Sequence, residues 1–262
     1  MSRICSLYSG STGNSTYIAT QNGGILVDAG ASMKGLCIAI EKAGGNYKEI
    51  KAIAVTHEHT DHIKGLKVFL SKTDAKLIAS EKTLETLIKY DHVPPKTELI
   101  AIDENGTEVN GIQINRFATS HDCEGSSGYS FILPDSKKVT VCTDLGIVTD
   151  DVRRAITGSD VLLFESNHDI DMLKKGPYPP LLKVRIMSDK GHISNVSCAA
   201  ELSEFFKSGT LRFILGHLSQ KNNTPVLAKN CAEAALMDIG AQNGKDYILN
   251  VAGVTDNGVM VF

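Results

Sequence analysis

Tryptophan is absent from this 262-residue chain, and aromatic side chains make up 6% of it. Little surface is therefore available for stacking a run of exposed bases, the usual way to hold single-stranded nucleic acid without sequence preference. A basic excess is missing too: 27 Lys and Arg stand against 30 Asp and Glu, a formal charge of −3. That balance excludes a protein that coats nucleic acid by charge alone, though not an enzyme that meets phosphates locally. No apolar run approaches the roughly 18 residues of a membrane-spanning helix, so no membrane partner is expected. The first ten residues lack the basic start and apolar segment of a secretory leader, and the expected location is the cytoplasm. The six cysteines form no C-x-x-C pair, which removes zinc ribbons and dithiol redox motifs. In a reducing compartment they read as free thiols, most of them small buried apolar groups. Proline is scarce, at seven residues, and no linker, charge block or low-complexity tract interrupts the chain. One domain over 1–262 is expected, with enough apolar residues (42%) for a large core.

What the chain does have is the word Thr-His-Glu-His-Thr-Asp-His at 56–62, which holds three of its eight histidines. An apolar run (Ile53, Ala54, Val55) precedes it and reads as a strand. A strand end followed by a tight loop can aim His57, His59, Asp61 and His62 at one small volume. Nitrogen and oxygen donors gathered in this way suit borderline divalent metals such as zinc, manganese or iron. A polar surface loop would leave the crowding unexplained.

The remaining pattern alternates strands and helices. Strands are expected over 3–8, 15–19, 24–27, 53–55, 76–79, 99–102, 112–118, 128–133, 138–142, 161–164, 211–215, 247–250 and 259–262. Helical spacing covers 33–43, 63–70, 81–90, 150–156, 195–206 and 225–237, the last opened by Pro225 in its first turn. Asn195 is the expected N-cap of its helix. Strand blocks with helices between and after them imply two sheets held between helical layers. Lys174, Lys175, Lys183, Arg185 and Lys190 gather within 17 residues, either as a solvated face or as a phosphate track.

Four further apolar runs end in a metal-type residue: His121 after 112–118, Asp144 after 139–142, Glu165 and His168 after 161–164, and His217 after 213–215. Each alone is unspecific. Together with the histidine loop, and with Asp28 in Leu26-Val27-Asp28-Ala29-Gly30, they resemble the ordered motifs of the metallo-β-lactamase superfamily. The words Ser9-Gly10-Ser11-Thr12-Gly13-Asn14-Ser15, Thr143-Asp144-Leu145-Gly146, Glu165-Ser166-Asn167-His168-Asp169, Gly191-His192-Ile193-Ser194-Asn195 and Gly216-His217-Leu218-Ser219 resemble, within it, the YycJ/WalJ group. The tRNA 3′-processing branch is a more distant likeness. Asn167-His168 stands where that branch has His-Glu-Ala-Thr, and no His-Phe-Ser-x-Arg-Tyr word surrounds His217.

The resemblance implies an α/β fold, an αββα four-layer sandwich with two mixed sheets between helical layers. It implies two divalent ions, zinc or manganese with iron as a further candidate: one held by His57, His59 and His121, the other by Asp61, His62 and His217, with Asp144 bridging. Asp28 would brace the histidine loop. The activity implied is metal-dependent phosphodiester hydrolysis by a DNA exonuclease, 5′-to-3′ by the resemblance. Asp61 would orient the attacking water, and His192, paired with Glu165, would be the general acid. The alternative for His192 is a helix-entry residue beside the Asn195 cap. Ser9, Ser11, Asn14, Asn167, His168 and Ser194 are the candidate substrate contacts. For the 9–15 loop a plain hairpin turn is the alternative, and for His168 outer support of the site. Competing activities are a small-molecule cyclic phosphodiesterase, an RNA-processing nuclease, and a lactone, thioester or lactam hydrolase. The lack of a Cys ligand and the His192/Glu165 pair favour phosphorus chemistry. Oligomeric state is left open.

Overall fold

Runs such as Ile-Leu-Val at 25–27 and Val-Leu-Leu-Phe at 161–164 are apolar at consecutive positions, so their strands need cover on both faces. The computed structural model, which describes residues 2–262, provides that cover with four layers. The first half of the chain runs β1 (Arg3–Tyr8), β2 (Ser15–Thr20), β3 (Gly23–Val27), α1 (Met33–Lys42), a 3-10 turn (Tyr47–Glu49), β4 (Ile50–Ala54), α2 (Thr60–Ile63), α3 (Leu66–Lys72), β5 (Lys76–Ala79), α4 (Glu81–Lys89) and β6 (Leu99–Ala101). Then come β7 (Thr107–Val109), β8 (Ile112–Ala118), β9 (Ser127–Ile132), β10 (Lys138–Cys142), α5 (Asp150–Ile156), β11 (Val161–Glu165), α6 (Ile170–Lys175), α7 (Pro180–Ile186), α8 (Asn195–Lys207), β12 (Arg212–Gly216), α9 (Pro225–Asp238), β13 (Ile248–Val251) and β14 (Met260–Val261).

The sheets have the orders β14-β1-β2-β3-β4-β5-β6 and β13-β12-β11-β10-β9-β8-β7. Each is mixed. β3 through β6 are parallel while β14, β1 and β2 pair antiparallel. In the other sheet β10 through β13 are parallel, and β7, β8 and β9 antiparallel. The fold expected from the resemblance is the one observed.

The two-residue period of a strand sorts the side chains. Ile25, Val27, Ala52 and Ala54 meet Tyr129, Phe131, Val161 and Leu163 between the sheets. Their neighbours Leu26 and Ile53 turn outward onto α1, α3 and α4, against Leu36, Phe69 and Leu87. On the far side Leu162, Phe164 and Phe213 turn onto α5, α8 and α9, against Val152, Leu202 and Leu236. Each fully buried Leu, Ile or Phe contributes about 1.5–3 kcal/mol of transfer free energy. The two sheets therefore form a rigid platform whose carboxyl strand ends lie along one edge. Among the described residues, no helix is long and apolar enough to cross a membrane.

The structure departs from expectation at three places. The helix expected over 63–70 is two helices broken at Gly65, because a Cβ there would lie 2.0 Å from the carbonyl oxygen of Ala31. The backbone must pass that carbonyl closely, a tertiary demand that periodicity does not show. The N-cap of α8 is Ser194, whose hydroxyl accepts from the Ser197 N–H at 3.1 Å. Asn195 is instead the first helical residue, and its buried amide pairs with Asn223. Finally, β7, α6 and α7 were not anticipated. They are short, and the residues of α7 include Leu181 and Val184 facing solvent, so no amphipathic stripe marks them.

Candidate metal centre and cleft

Asp28 follows β3 and is almost fully buried. Its Oδ1 accepts the Thr56 backbone N–H at 2.8 Å, and Oδ2 accepts the Thr56 hydroxyl at 2.8 Å and faces His62 Nδ1 at 2.7 Å. One carboxylate thus pins both ends of the histidine loop. The loop is also sewn to its neighbours through backbone bonds: Asn14 N–H to the Asp61 carbonyl at 2.7 Å, Ala29 N–H to the His62 carbonyl at 2.8 Å, and Gly30 N–H to the Asn14 carbonyl at 2.8 Å. The approach is close enough that a Cβ on Gly30 would sit 1.7 Å from the Asp61 carbonyl oxygen.

Asp28, Asp144 and His217 each stand at a strand end with positive φ, at 64°, 60° and 56°. This left-handed backbone is uncommon outside glycine, and Asp and His are among the residues that tolerate it. Such strain is retained where a side chain must be re-aimed sharply. Here it turns the chain from the strand direction toward the shared edge.

The donors expected from the sequence meet there. His57, His59 and His121 form one group whose ligand atoms lie within 4.8 Å of one another; Asp61, His62 and His217 form a second. Asp144 joins His57 and His62 in a third, and Glu165, His192 and His217 in a fourth. In four of the five rings Nδ1 is occupied by a group behind the site, which turns Nε2 toward the shared volume. Nδ1 of His57 meets the Thr56 hydroxyl (3.0 Å), that of His62 meets Asp28, that of His121 the Gly191 carbonyl (3.2 Å), and that of His217 Glu165 (2.8 Å). His59 is reversed: its Nδ1 faces His57 Nε2 at 3.0 Å, while Nε2 meets Cys123 Sγ at 3.3 Å.

A cation fits this arrangement. Asp144 Oδ2 and His217 Nε2 are buried and have no hydrogen-bond partner, a costly condition for polar atoms unless an ion or water satisfies them. Protonation follows the same logic. Burial pushes His57 and His121 below the ordinary imidazole value, which suits neutral ligands. Burial opposes charge on His62 as well, but Asp28, Asp144 and Asp61 outweigh it and lift the ring to about 9. Against the same burial, Asp144, Asp61 and Glu165 hold His217 well above its usual value.

Glu165 is fully buried, and its Oε1 is shared between His192 Nδ1 and His217 Nδ1, both at 2.8 Å. Its Oε2 accepts the Leu145 and Ile193 N–H groups, both at 3.2 Å. His192 lines a cleft of about 230 Å³ together with His59, Asp61, His121, Asp144 and His217.

Among the expected substrate contacts, Ser11 and Asn167 line this cleft. Ser9 and Asn14 turn inward: Ser9 Oγ accepts the His217 backbone N–H at 2.7 Å, and Asn14 donates to Asp61 Oδ2 at 3.0 Å. Asn167 donates to the His217 carbonyl at 3.0 Å. Ser194 serves as the cap of α8. His168 is buried, and burial lowers its ring to about 4. The cleft also takes Tyr178, Leu182, Arg185 and Ile186 from α7 and the turn before it, and Ser219 beyond His217. Of these, Arg185 stood in the basic stretch seen in the sequence, and Pro180 at the first helical position could have marked α7.

Two mixed sheets between helices, with a His/Asp donor set at their carboxyl edge, define a metal-binding hydrolase of the metallo-β-lactamase type. The chain belongs to the beta-lactamase superfamily, whose domain model matches residues 24–217, and within it to the YycJ/WalJ group. It is 36% identical over 244 residues to exodeoxyribonuclease YycJ of Bacillus anthracis, covering 92% of this chain and 91% of that one. To exodeoxyribonuclease WalJ of Streptococcus pneumoniae it is 36% identical over 225 residues, 85% and 83% of the two chains. The metallo-β-lactamase fold protein YhfI of Bacillus subtilis superposes with a TM-score of 0.76 over all of both chains at 15% identity, a likeness of fold.

Two outcomes follow from this geometry. Gly30→Ala has backbone on both sides of the new methyl and no rotamer to relieve it. It should cost about 1–3 kcal/mol of stability, as overpacking does, and lower the metal retained after dialysis; wild-type melting and metal content would contradict the interlock. Metal loading at pH 7 should release protons, because a cation at His62 or His217 displaces a proton held up to about pH 9 in the case of His62. Apparent affinity should fall by about tenfold per pH unit for each proton displaced as pH drops below that value. Calorimetry in two buffers of different ionisation enthalpy reads this, and identical heats would refute it.

Proposed function

We propose that the protein is a metal-dependent exodeoxyribonuclease in which residues 1–262 act as one domain. Two divalent ions would be held, one by His57, His59 and His121 and one by Asp61, His62 and His217, with Asp144 as the carboxylate available to both. The observation that carries this reading is the overlap of the donor groups at Asp144, since two cations close together need a shared anion between them. When bound, zinc, manganese or iron supplies Lewis acidity that acidifies water toward neutrality and offsets phosphodiester charge.

The chain's own residues do the rest. Asp61 is one-quarter exposed at the cleft. Burial acts to raise its carboxyl, but His217 and His62 hold it below the usual value. It is therefore a carboxylate at neutral pH, oriented by Asn14, and able to accept a hydrogen bond from the attacking water. His192 commits Nδ1 to Glu165 and keeps Nε2 for the leaving oxygen, to which it gives a proton. Glu165 stabilises the positive ring that donates. Ser11 and Asn167 touch the strand. The cleft of about 230 Å³ that these residues line is where the end of a strand would enter. DNA is the proposed substrate because YycJ and WalJ are named exodeoxyribonucleases and match most of this chain.

The test is one panel with zinc and with manganese: single- and double-stranded DNA with free or phosphorylated 5′ ends, RNA, and cyclic nucleotides. Metal analysis should give close to two equivalents, and product ladders on DNA should shorten from one end, 5′-to-3′ being the expectation. Turnover of cyclic nucleotides alone would replace the reading with a small-molecule phosphodiesterase. His192→Gln should cost about 10²–10⁴-fold on DNA and far less on an activated aryl phosphodiester, whose leaving group needs no proton. Equal losses on both substrates would remove His192 as the acid.

A further inference from the structure

Arg185 is the one Lys or Arg among the described residues that line the cleft. Its side chain is half exposed. Nε donates to Asp122 Oδ2 at 2.7 Å, and a terminal nitrogen bonds the same oxygen. A guanidinium has five N–H donors. Two are spent on that oxygen, which leaves three for a ligand in the cleft. Asp122 directs its other oxygen inward, 3.3 Å from His121 Nε2 and 3.6 Å from His59 Nε2. The ion pair thereby fixes the guanidinium at the rim of the donor group formed by His57, His59 and His121. Beside it, Leu182 and Tyr178 present an apolar and an aromatic flank. Apart from Arg185, the fixed charges of the cleft are the carboxylates of Asp61 and Asp144. A polyanionic strand entering it meets one permanent cation outside the donor groups.

We propose that Arg185 is a substrate-positioning residue: it binds a phosphate next to the scissile one, while Tyr178 and Leu182 pack against the adjoining nucleoside. The proposal rests on the nuclease reading. Guanidinium and phosphate match in geometry, and their charge-assisted hydrogen bonds can form in pairs. Asp122 pre-sets the side chain, so little rotamer freedom is lost when the strand arrives. The one contact supplies register along the strand in a cleft too poor in aromatic surface to grip several bases.

The experiment compares wild type, Arg185→Gln, Arg185→Lys and the control Lys96→Gln, all metal-loaded. Lys96 is exposed just before β6, at the amino end of that strand and off the cleft edge. Arg185→Gln should raise KM for single-stranded DNA about 10–100-fold, the loss of a charge-assisted contact, with kcat within about threefold. The slope of log affinity against log salt should fall by about 0.7, one phosphate's worth on a single strand. Metal content and turnover of bis(p-nitrophenyl) phosphate should match wild type. Arg185→Lys should recover part of the KM, and Lys96→Gln should leave KM and slope alone. If Arg185→Gln loses metal, or loses equally on DNA and the small diester, Arg185 supports the metal centre through Asp122 and the proposal is wrong. An unchanged KM and salt slope overturns it as well. A wild-type protein that turns over the small diester but cuts no DNA or RNA overturns the nuclease reading, and the phosphate contact with it.

Discussion

The carboxylate of Asp28 is the constraint on which the site depends. It lies at the end of β3, out of water, and spends its two oxygens on the Thr56 backbone, the Thr56 hydroxyl and His62. A buried carboxylate left unpaired would be very costly, so the loop that satisfies it has little freedom to move. Loop geometry and ligand geometry become one problem with one solution. Thr56 extends the same control to His57, since its hydroxyl also reaches His57 Nδ1.

The second sheet repeats the device with different residues. Glu165 takes the part of Asp28: it ends β11, is fully buried, and holds the ring of His217 by Nδ1. It also holds His192, so the rings of His192 and His217 share one oxygen as their reference point. Ser9 and Asn167 fix the backbone of His217 from either side. Each half of the site is thus a strand end, a buried carboxylate and an imidazole. The precision comes from carboxylates anchored in sheet ends rather than from the ligands alone.

Much of this was legible in the sequence because ligand chemistry is local. His57, His59, Asp61 and His62 occupy one short word, and His121, Asp144 and His217 each follow an apolar run, so type and place could be read together. The strands were legible for the same reason, as runs of β-forming residues between turns. What required the folded chain was the set of relations between segments. The break at Gly65 comes from the Ala31 carbonyl, far from it in sequence. The left-handed backbone of Asp28, Asp144 and His217 depends on where the next loop must go. Ser9 and Asn14 look like substrate contacts in a Gly/Ser turn, and only the approach of Asp61 and His217 turns them inward. Arg185 showed in the sequence only as one member of a basic stretch, because α7 is short and its apolar residues do not form a buried stripe.

The donors are divided between the sheets: the histidine loop belongs to the first, and His121, Asp144 and His217 to the second. Neither sheet alone assembles the shared position at Asp144. A divalent ion that spans both groups therefore binds a docked pair of sheets and no partly folded form, and its binding free energy adds to the stability of that docking. During synthesis the histidine loop leaves the ribosome well before His217. A divalent ion that needs donors from both sheets would then be captured tightly only late, once the sandwich has closed.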